Sequence, residues 1–160
     1  YVAIMPNRVA DKLGNSGSQN TKVIAEKAEL IPTEVKYVFD LKNLNFDINA
    51  VDMVLTFRNV HNLSPSARAT LNQKIYAALK PGGVYGIIDH TRRHMQPYSQ
   101  PVWRRIDPVI VIKEALDAGF EFTGYSDLHY HPEDPLEFDT RDKRMQGASD
   151  RFTLKFRKPH

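Results

Sequence analysis

Two short apolar runs joined by one helix constrain this chain more than any other feature. Val51 to Phe57 is apolar at nearly every position and ends in a polar cluster, Arg58, Asn59 and His61. Ser64-Pro65 then opens a helix, with a hydroxyl at the N-cap and proline at the first helical position. Ala67, Leu71, Ile75 and Ala78 recur at spacings of three and four, which gives that helix one apolar face. Lys80-Pro81-Gly82-Gly83 stops it, and the glycines supply left-handed geometry past its end. Val84 to Ile88 is a second apolar run and ends in Asp89-His90. Strand, helix, strand is a βαβ unit, so the two strands are predicted to be parallel neighbours. The first is expected to be buried on both faces. Both polar clusters then fall at carboxyl ends of strands, the edge where open α/β sheets bind ligands.

The flanking segments read more weakly. Tyr1 to Met5 is a short strand ended by Pro6-Asn7, and Gly14 to Asn20 is a polar loop. A helix is expected around Thr21 to Leu30, with Thr21 or Asn20 as its N-cap. Glu34 to Phe39 reads as a strand with Asp40 just past it, and Leu41 to Ala50 as loop. After the second apolar run, Thr91 to Gln100 is a polar loop carrying His94 and Tyr98. Asp107-Pro108 repeats the cap-then-proline start, and that helix runs to Ala118 and stops at Gly119. Phe120 to Tyr125 and Phe152 to Phe156 read as a closing antiparallel pair. Their connection, His129 to Asp150, has the length of loops that are functional or disordered.

Composition excludes several classes. The 160 residues suit one domain, and 41% hydrophobic with 26% charged residues fits a globular protein in water. No apolar run approaches the roughly 18 residues of a membrane span. The net charge of +3 comes from 22 basic and 19 acidic residues that are mixed along the chain, which argues against a nucleic-acid-binding stripe. The absence of cysteine excludes a disulfide framework, a thiol nucleophile and a thiolate metal site. It leaves the compartment open: cytoplasm, or periplasm if a signal peptide has been removed. The chain starts at Tyr1 and shows no signal peptide.

The stretch from Val51 to His90, above all Leu79-Lys80-Pro81-Gly82-Gly83, resembles class I S-adenosylmethionine-dependent methyltransferases around their fourth and fifth strands. The rest of the chain is similar to a group of bacterial predicted methyltransferases, in which Arg104-Arg105-Ile106-Asp107-Pro108 opens a helix and Ala118-Gly119-Phe120-Glu121 leads into a strand. Phe152 to Pro159 closes the chain there. The resemblance covers nearly all 160 residues. It implies an α/β, Rossmann-like methyltransferase sheet, mostly parallel with an antiparallel carboxyl-terminal hairpin.

That family has seven strands in the order 3-2-1-4-5-7-6, and its central first strand carries a glycine-rich turn. No segment here matches it. Tyr1 to Met5 matches the second family strand, Glu34 to Phe39 the third and Val51 to Phe57 the fourth, and Gly14 and Gly17 are loop glycines. Without a middle strand, the second and fourth lie about two strand spacings apart, roughly 9 to 10 Å. Each orphaned buried backbone group costs about 1 to 3 kcal/mol. Several together exceed a typical net stability of about 5 to 15 kcal/mol. The expectation is a longer chain with a strand-and-helix unit upstream, or a rearranged sheet in which two of these strands meet directly.

The resemblance also distributes roles. The cofactor it implies is S-adenosylmethionine. Asp40, with Leu41 beside it, stands where the family binds the adenine amino group, and Arg58 and Asn59 stand where it binds the methionine part. His61 and His90 are candidate catalytic bases for a small-molecule acceptor. Asp89, His94 and Trp103 are candidate substrate contacts. Met5 departs from the pattern, because no carboxylate there can take the ribose hydroxyls. Each polar residue also has a plainer reading as a loop-ordering group.

Two nitrogen and oxygen ligand sets, His129/His131/Glu133/Asp134 and His61/Asp89/His90, lack a diagnostic metal spacing. No metal is therefore assigned. The function expected is methyl transfer to a small molecule. The alternative is a non-catalytic methyltransferase-like domain that binds a ligand or partner, and a weaker third option is metal-dependent hydrolysis at the His/Asp cluster. No nucleic acid and no membrane span is expected, and self-association is open.

Overall fold

A computed structural model describes residues 2–4, 22–24 and 27–160. Strands β1 (Val2–Ile4) and β2 (Lys22–Ile24) pair in parallel. Strands β3 (Glu29–Pro32) and β4 (Phe39–Lys42) form an antiparallel hairpin. The main sheet has the order β5-β6-β8-β7, with β5 at Val51–Phe57, β6 at Leu79–His90, β7 at Glu121–Ser126 and β8 at Arg151–Arg157. β5 and β6 are parallel, and β8 is antiparallel to both β6 and β7.

The βαβ unit forms as its sequence dictates. Helix α1 (Pro65–Ala78) crosses between β5 and β6, and the Ser64 hydroxyl accepts the Ala67 N–H at 3.1 Å as its N-cap. Ala67, Ile75 and Ala78 of its apolar face are buried. The helix ends earlier than the glycines suggest. Its last carbonyls, of Tyr76 and Leu79, accept from the Lys158 ammonium at 2.8 and 2.7 Å. Gly82, at φ 75°, belongs instead to a bend within β6, where its N–H donates to the Lys158 carbonyl at 2.9 Å.

Helix α2 (Pro108–Asp117) is capped by Asp107, whose carboxylate accepts the Val109 N–H at 2.9 Å. Gly119 leaves it at φ 98°. The core lies between the two helices and one face of the sheet, where Ile75, Tyr85, Ile87, Ala115, Phe120, Leu154 and Phe156 pack together. Each buried aliphatic or aromatic side chain contributes about 1.5 to 3 kcal/mol.

Three sequence expectations need correction. Thr21 to Leu30 is not a helix, since Lys22–Ile24 and Glu29–Pro32 are extended and paired. The β-branched Val23-Ile24 pair and pairing with distant strands override helical propensity. The proposed caps Thr21 and Asn20, and the loop Gly14 to Asn20, lie outside the described residues.

Of the strand expected at Glu34 to Phe39 only Phe39 is extended, as the first residue of β4; residues 34–38 are the hairpin turn. The Thr33 hydroxyl accepts the Val35 N–H at 3.2 Å and Tyr37 takes φ 67°. A threonine hydroxyl that captures a backbone N–H two residues on is a turn-former. Asp40 and Leu41 therefore lie inside β4 rather than past a strand.

Finally, β5 is not buried on both faces. Met53, Leu55 and Phe57 are 54%, 50% and 53% exposed, while Val54 packs on the core. β5 is an outer strand of the described four-stranded sheet, and α1 and α2 cover one face only.

Candidate functional site

The carboxyl ends of β5 and β6 lie side by side, because the two strands pair in parallel from Val51 to Ile88. Past β5 the chain turns sharply. Arg58 adopts φ 54°, and its N–H donates to the Ile88 carbonyl at 2.7 Å. A single helical turn, Val60–Asn62, follows and carries His61 toward β6.

There the His61 ring meets Asp89. The Nδ1 lies 2.6 Å from one carboxylate oxygen, and the His61 backbone N–H donates to the other at 3.1 Å. Asp89 also accepts the His90 N–H at 2.7 Å and is completely buried. A carboxylate is an acceptor only, so Nδ1 donates in this pair, and in the neutral ring that leaves the lone pair on Nε2.

His90 stands beside this dyad, its ring centroid 5.8 Å from that of His61. Its Nδ1 shares a hydrogen bond with the buried Ser149 hydroxyl at 2.9 Å. Burial pushes the His90 pKa down to about 4. The Asp89 charge opposes this, and the charges of His61, Arg151 and Arg105 add to it. His90 is thus a neutral imidazole at neutral pH. It is a weaker base than an ordinary histidine.

The remaining predicted residues divide. Asn59 precedes the helical turn without a side-chain capping bond, and Arg58 is exposed. Both have donors to offer a ligand at the end of β5. Asp40 is committed elsewhere, because it accepts from the Ser64 hydroxyl and, at 3.1 Å, from the Ser66 hydroxyl. Since the Ser64 N–H also donates to the Phe39 carbonyl at 2.9 Å, Asp40 anchors β4 to the start of α1.

Asp89, expected as a substrate contact, is completely buried and holds the ring and backbone of His61. His94 bonds the capping carboxylate of Asp107 at 2.8 Å, while its side chain remains 57% exposed. Trp103 is stacked on Tyr37 at 3.7 Å, with the Arg104 guanidinium 4.2 Å from its centroid. It lines a separate concavity of about 540 Å³ with Phe138 and Arg144. A second concavity, about 330 Å³, is lined by residues 45–49 with Lys74. Neither includes His61, Asp89 or His90.

The long connection between β7 and β8 is ordered by a buried ion pair that the sequence did not reveal. Arg105 donates to both oxygens of Asp134, at 2.8 and 3.1 Å, and to the carbonyls of Thr91 and Phe138. Asp134 also accepts the Asp150 N–H at 2.6 Å, which sets Ser149 beneath His90. His129 turns to the Thr153 hydroxyl and His131 to Arg151, so these histidines and Asp134 serve separate partners.

No protein-family model and no curated protein matches the sequence. Solved structures do match in fold. The cyclase SpnF superimposes with a TM-score of 0.63 at 17% identity, over 99% of this chain and 65% of that one. A S-adenosylmethionine dependent methyltransferase from Mesorhizobium loti gives 0.59 at 11% identity, over 98% of this chain and 79% of that one. Human N-acetylserotonin methyltransferase, solved in complex with its methyl donor, gives 0.58 at 13% identity, over 99% of this chain and 40% of that one. The chain spans just under two thirds of the cyclase and well under half of the human enzyme. The chain has the fold of the class I S-adenosylmethionine-dependent methyltransferases, an α/β Rossmann-like sheet closed by an antiparallel carboxyl-terminal pair.

Proposed function

We propose that the protein transfers a methyl group from S-adenosylmethionine to a small-molecule acceptor, with His61 as the base. The observation that carries this reading is the buried Asp89 carboxylate on His61 Nδ1, at the strand edge where this fold binds ligands. S-adenosylmethionine, when bound, supplies an electrophilic methyl group. Arg58 and Asn59 suit its methionine part, since both lie at the end of β5 with polar groups to spend. Asp40 and Leu41 border the same end of the molecule, although Asp40 holds two serine hydroxyls that adenine binding would have to share.

The chain's own work is positioning and proton removal. His61 Nε2 takes the proton from the acceptor's hydroxyl, amine or ring nitrogen. Asp89 keeps Nδ1 protonated and the ring in register. His90 presents a neutral edge to the acceptor, held by Ser149. His94 and Trp103 contribute from the outer loops.

A second reading is a methyltransferase-like domain that binds a ligand without methyl transfer. The similarity to a cyclase of the same fold supports it, because fold does not dictate chemistry. Incubation with methyl-labelled S-adenosylmethionine and a panel of hydroxylated and amino acceptors separates the two. Transfer by the native protein that is lost in His61→Gln is the result expected. Saturable donor binding with no transfer to any acceptor favours the second reading.

A further inference from the structure

We propose that Arg92 anchors a carboxylate group of the acceptor substrate. This deepens the methyl-transfer reading and rests on it for the word acceptor. Arg92 sits two residues beyond His90, where the chain leaves the ligand edge of β6. Its N–H donates to the Ile106 carbonyl, and the Ile106 N–H donates to the His90 carbonyl, both at 2.9 Å. The backbone that carries Arg92 is therefore pinned to the backbone that carries His90.

The side chain lacks what such a group needs. Arg92 is half-buried, yet among the described residues its guanidinium makes no hydrogen bond, and its Nε is shielded from water without a partner. Four other guanidinium groups are paired with carboxylates: Arg68 with Glu114, Arg105 with Asp134, Arg144 with Asp142 and Arg157 with Glu121. Arg104 and Arg151 also hold one shielded N–H without a partner, but Arg104 faces Asp139 at 3.4 Å and Arg151 bonds the His131 ring at 3.3 Å. A charge withdrawn from water without a partner is costly, and a bidentate carboxylate matches a guanidinium well.

The surroundings are short of negative charge. Burial is the largest influence on Arg92 and disfavours its charge. Asp107 and Tyr98 favour that charge, and Arg68 opposes it. Asp107 is already engaged, by the His94 ring at 2.8 Å and by the N–H groups of Met95 and Val109. Glu114 is taken by Arg68 at 2.7 Å through both oxygens. The Tyr98 ring lies 6.0 Å from the Arg92 guanidinium carbon and offers an aromatic surface beside the cation. A single planar cation next to a ring fits an aromatic or other planar carboxylic acid.

Calorimetric titration with benzoate and with its uncharged analogue benzamide tests this without any methyl donor. The native protein is expected to bind benzoate at least about tenfold more tightly than benzamide, a difference of about 1.4 kcal/mol. Arg92→Gln should abolish the preference, and Arg92→Lys should keep part of it. Arg151→Gln, which removes a cation that bears on His90, should leave it intact. The thermal midpoint of Arg92→Gln should not fall, because no hydrogen bond is lost and burial, the largest influence on this group, disfavours its charge. Equal binding of acid and amide by the native protein, or a preference that survives Arg92→Gln or disappears in Arg151→Gln, overturns the assignment. Acid preference without S-adenosylmethionine binding would remove the methyl-transfer reading and leave the anion site standing.

Discussion

Asp89 holds His61 by two points, the ring Nδ1 at 2.6 Å and the backbone N–H at 3.1 Å, and both contacts are buried. The two residues come from the ends of adjacent parallel strands, so the sheet itself fixes the direction of the imidazole. On the proposed methyl-transfer reading, a base held this way needs no reorganisation when the acceptor arrives.

Asp89→Asn tests this orientation. The amide can present a donor where the carboxylate only accepts, which favours the wrong tautomer of His61. The turnover rate should fall by about 10²-fold or more, in the range of a lost general base, while the Michaelis constant for the acceptor changes little. His61→Gln should lower the rate at least as far. A larger effect on the Michaelis constant than on turnover would make the pair a binding element instead.

His90 should make the protein acid-sensitive. Its pKa is near 4 when folded and 6.5 when free, so the unfolded chain takes up the proton first as pH falls. The neutral form costs nothing above pH 6.5 on this account, and stability drains away between pH 6.5 and 4. The loss from this one group is on the order of 3 kcal/mol. Urea unfolding across that range should show a shallower pH slope for His90→Gln than for the native protein. Identical slopes would contradict the burial argument.

Arg105→Met should be among the most damaging single changes. It strands the fully buried Asp134 carboxylate and releases the carbonyls of Thr91 and Phe138. A broken buried pair costs about 3 to 5 kcal/mol. Arg105→Lys keeps the charge but not the fork, and should cost less. Because Asp134 also orders Asp150, and through it Ser149, either change should loosen His90 before the fold is lost.

Lys158→Met removes the two ammonium contacts that close α1 at Tyr76 and Leu79. The expected loss is about 1 to 2 kcal/mol, measured as a lower urea midpoint with an unchanged slope. No shift would mean that water caps those carbonyls equally well.

What the sequence revealed follows the range of the forces. From Val51 onward, strands and helices appear in the order that local signals put them, with proline after a capping residue at Ser64 and Asp107, glycine at 119, and continuous apolar runs in β5 and β6; the exception is Lys80-Pro81-Gly82-Gly83, which lies inside β6 rather than ending α1. Before Val51 the first strand appears as read, at Val2–Ile4, but the rest of the reading failed between Thr21 and Leu41, because β2 and β3 are set by distant pairing partners and the 33–38 turn by one hydroxyl. The His61, Asp89 and His90 cluster was legible because strand ends deliver it. Ser149 and Asp134 were not, since they act on residues 59 and 29 positions away and carry no local signature. The exposure of Met53, Leu55 and Phe57 was equally hidden, because an apolar run does not say which of its faces the helices will cover.

Titration of the protein with S-adenosylmethionine by calorimetry bears most directly on the whole account. One-site saturable binding, weakened at least about tenfold when Arg58 and Asn59 are both changed to alanine, is the predicted result. Absence of any binding heat over a range of temperatures, in a protein whose circular dichroism shows the sheet intact, would contradict it.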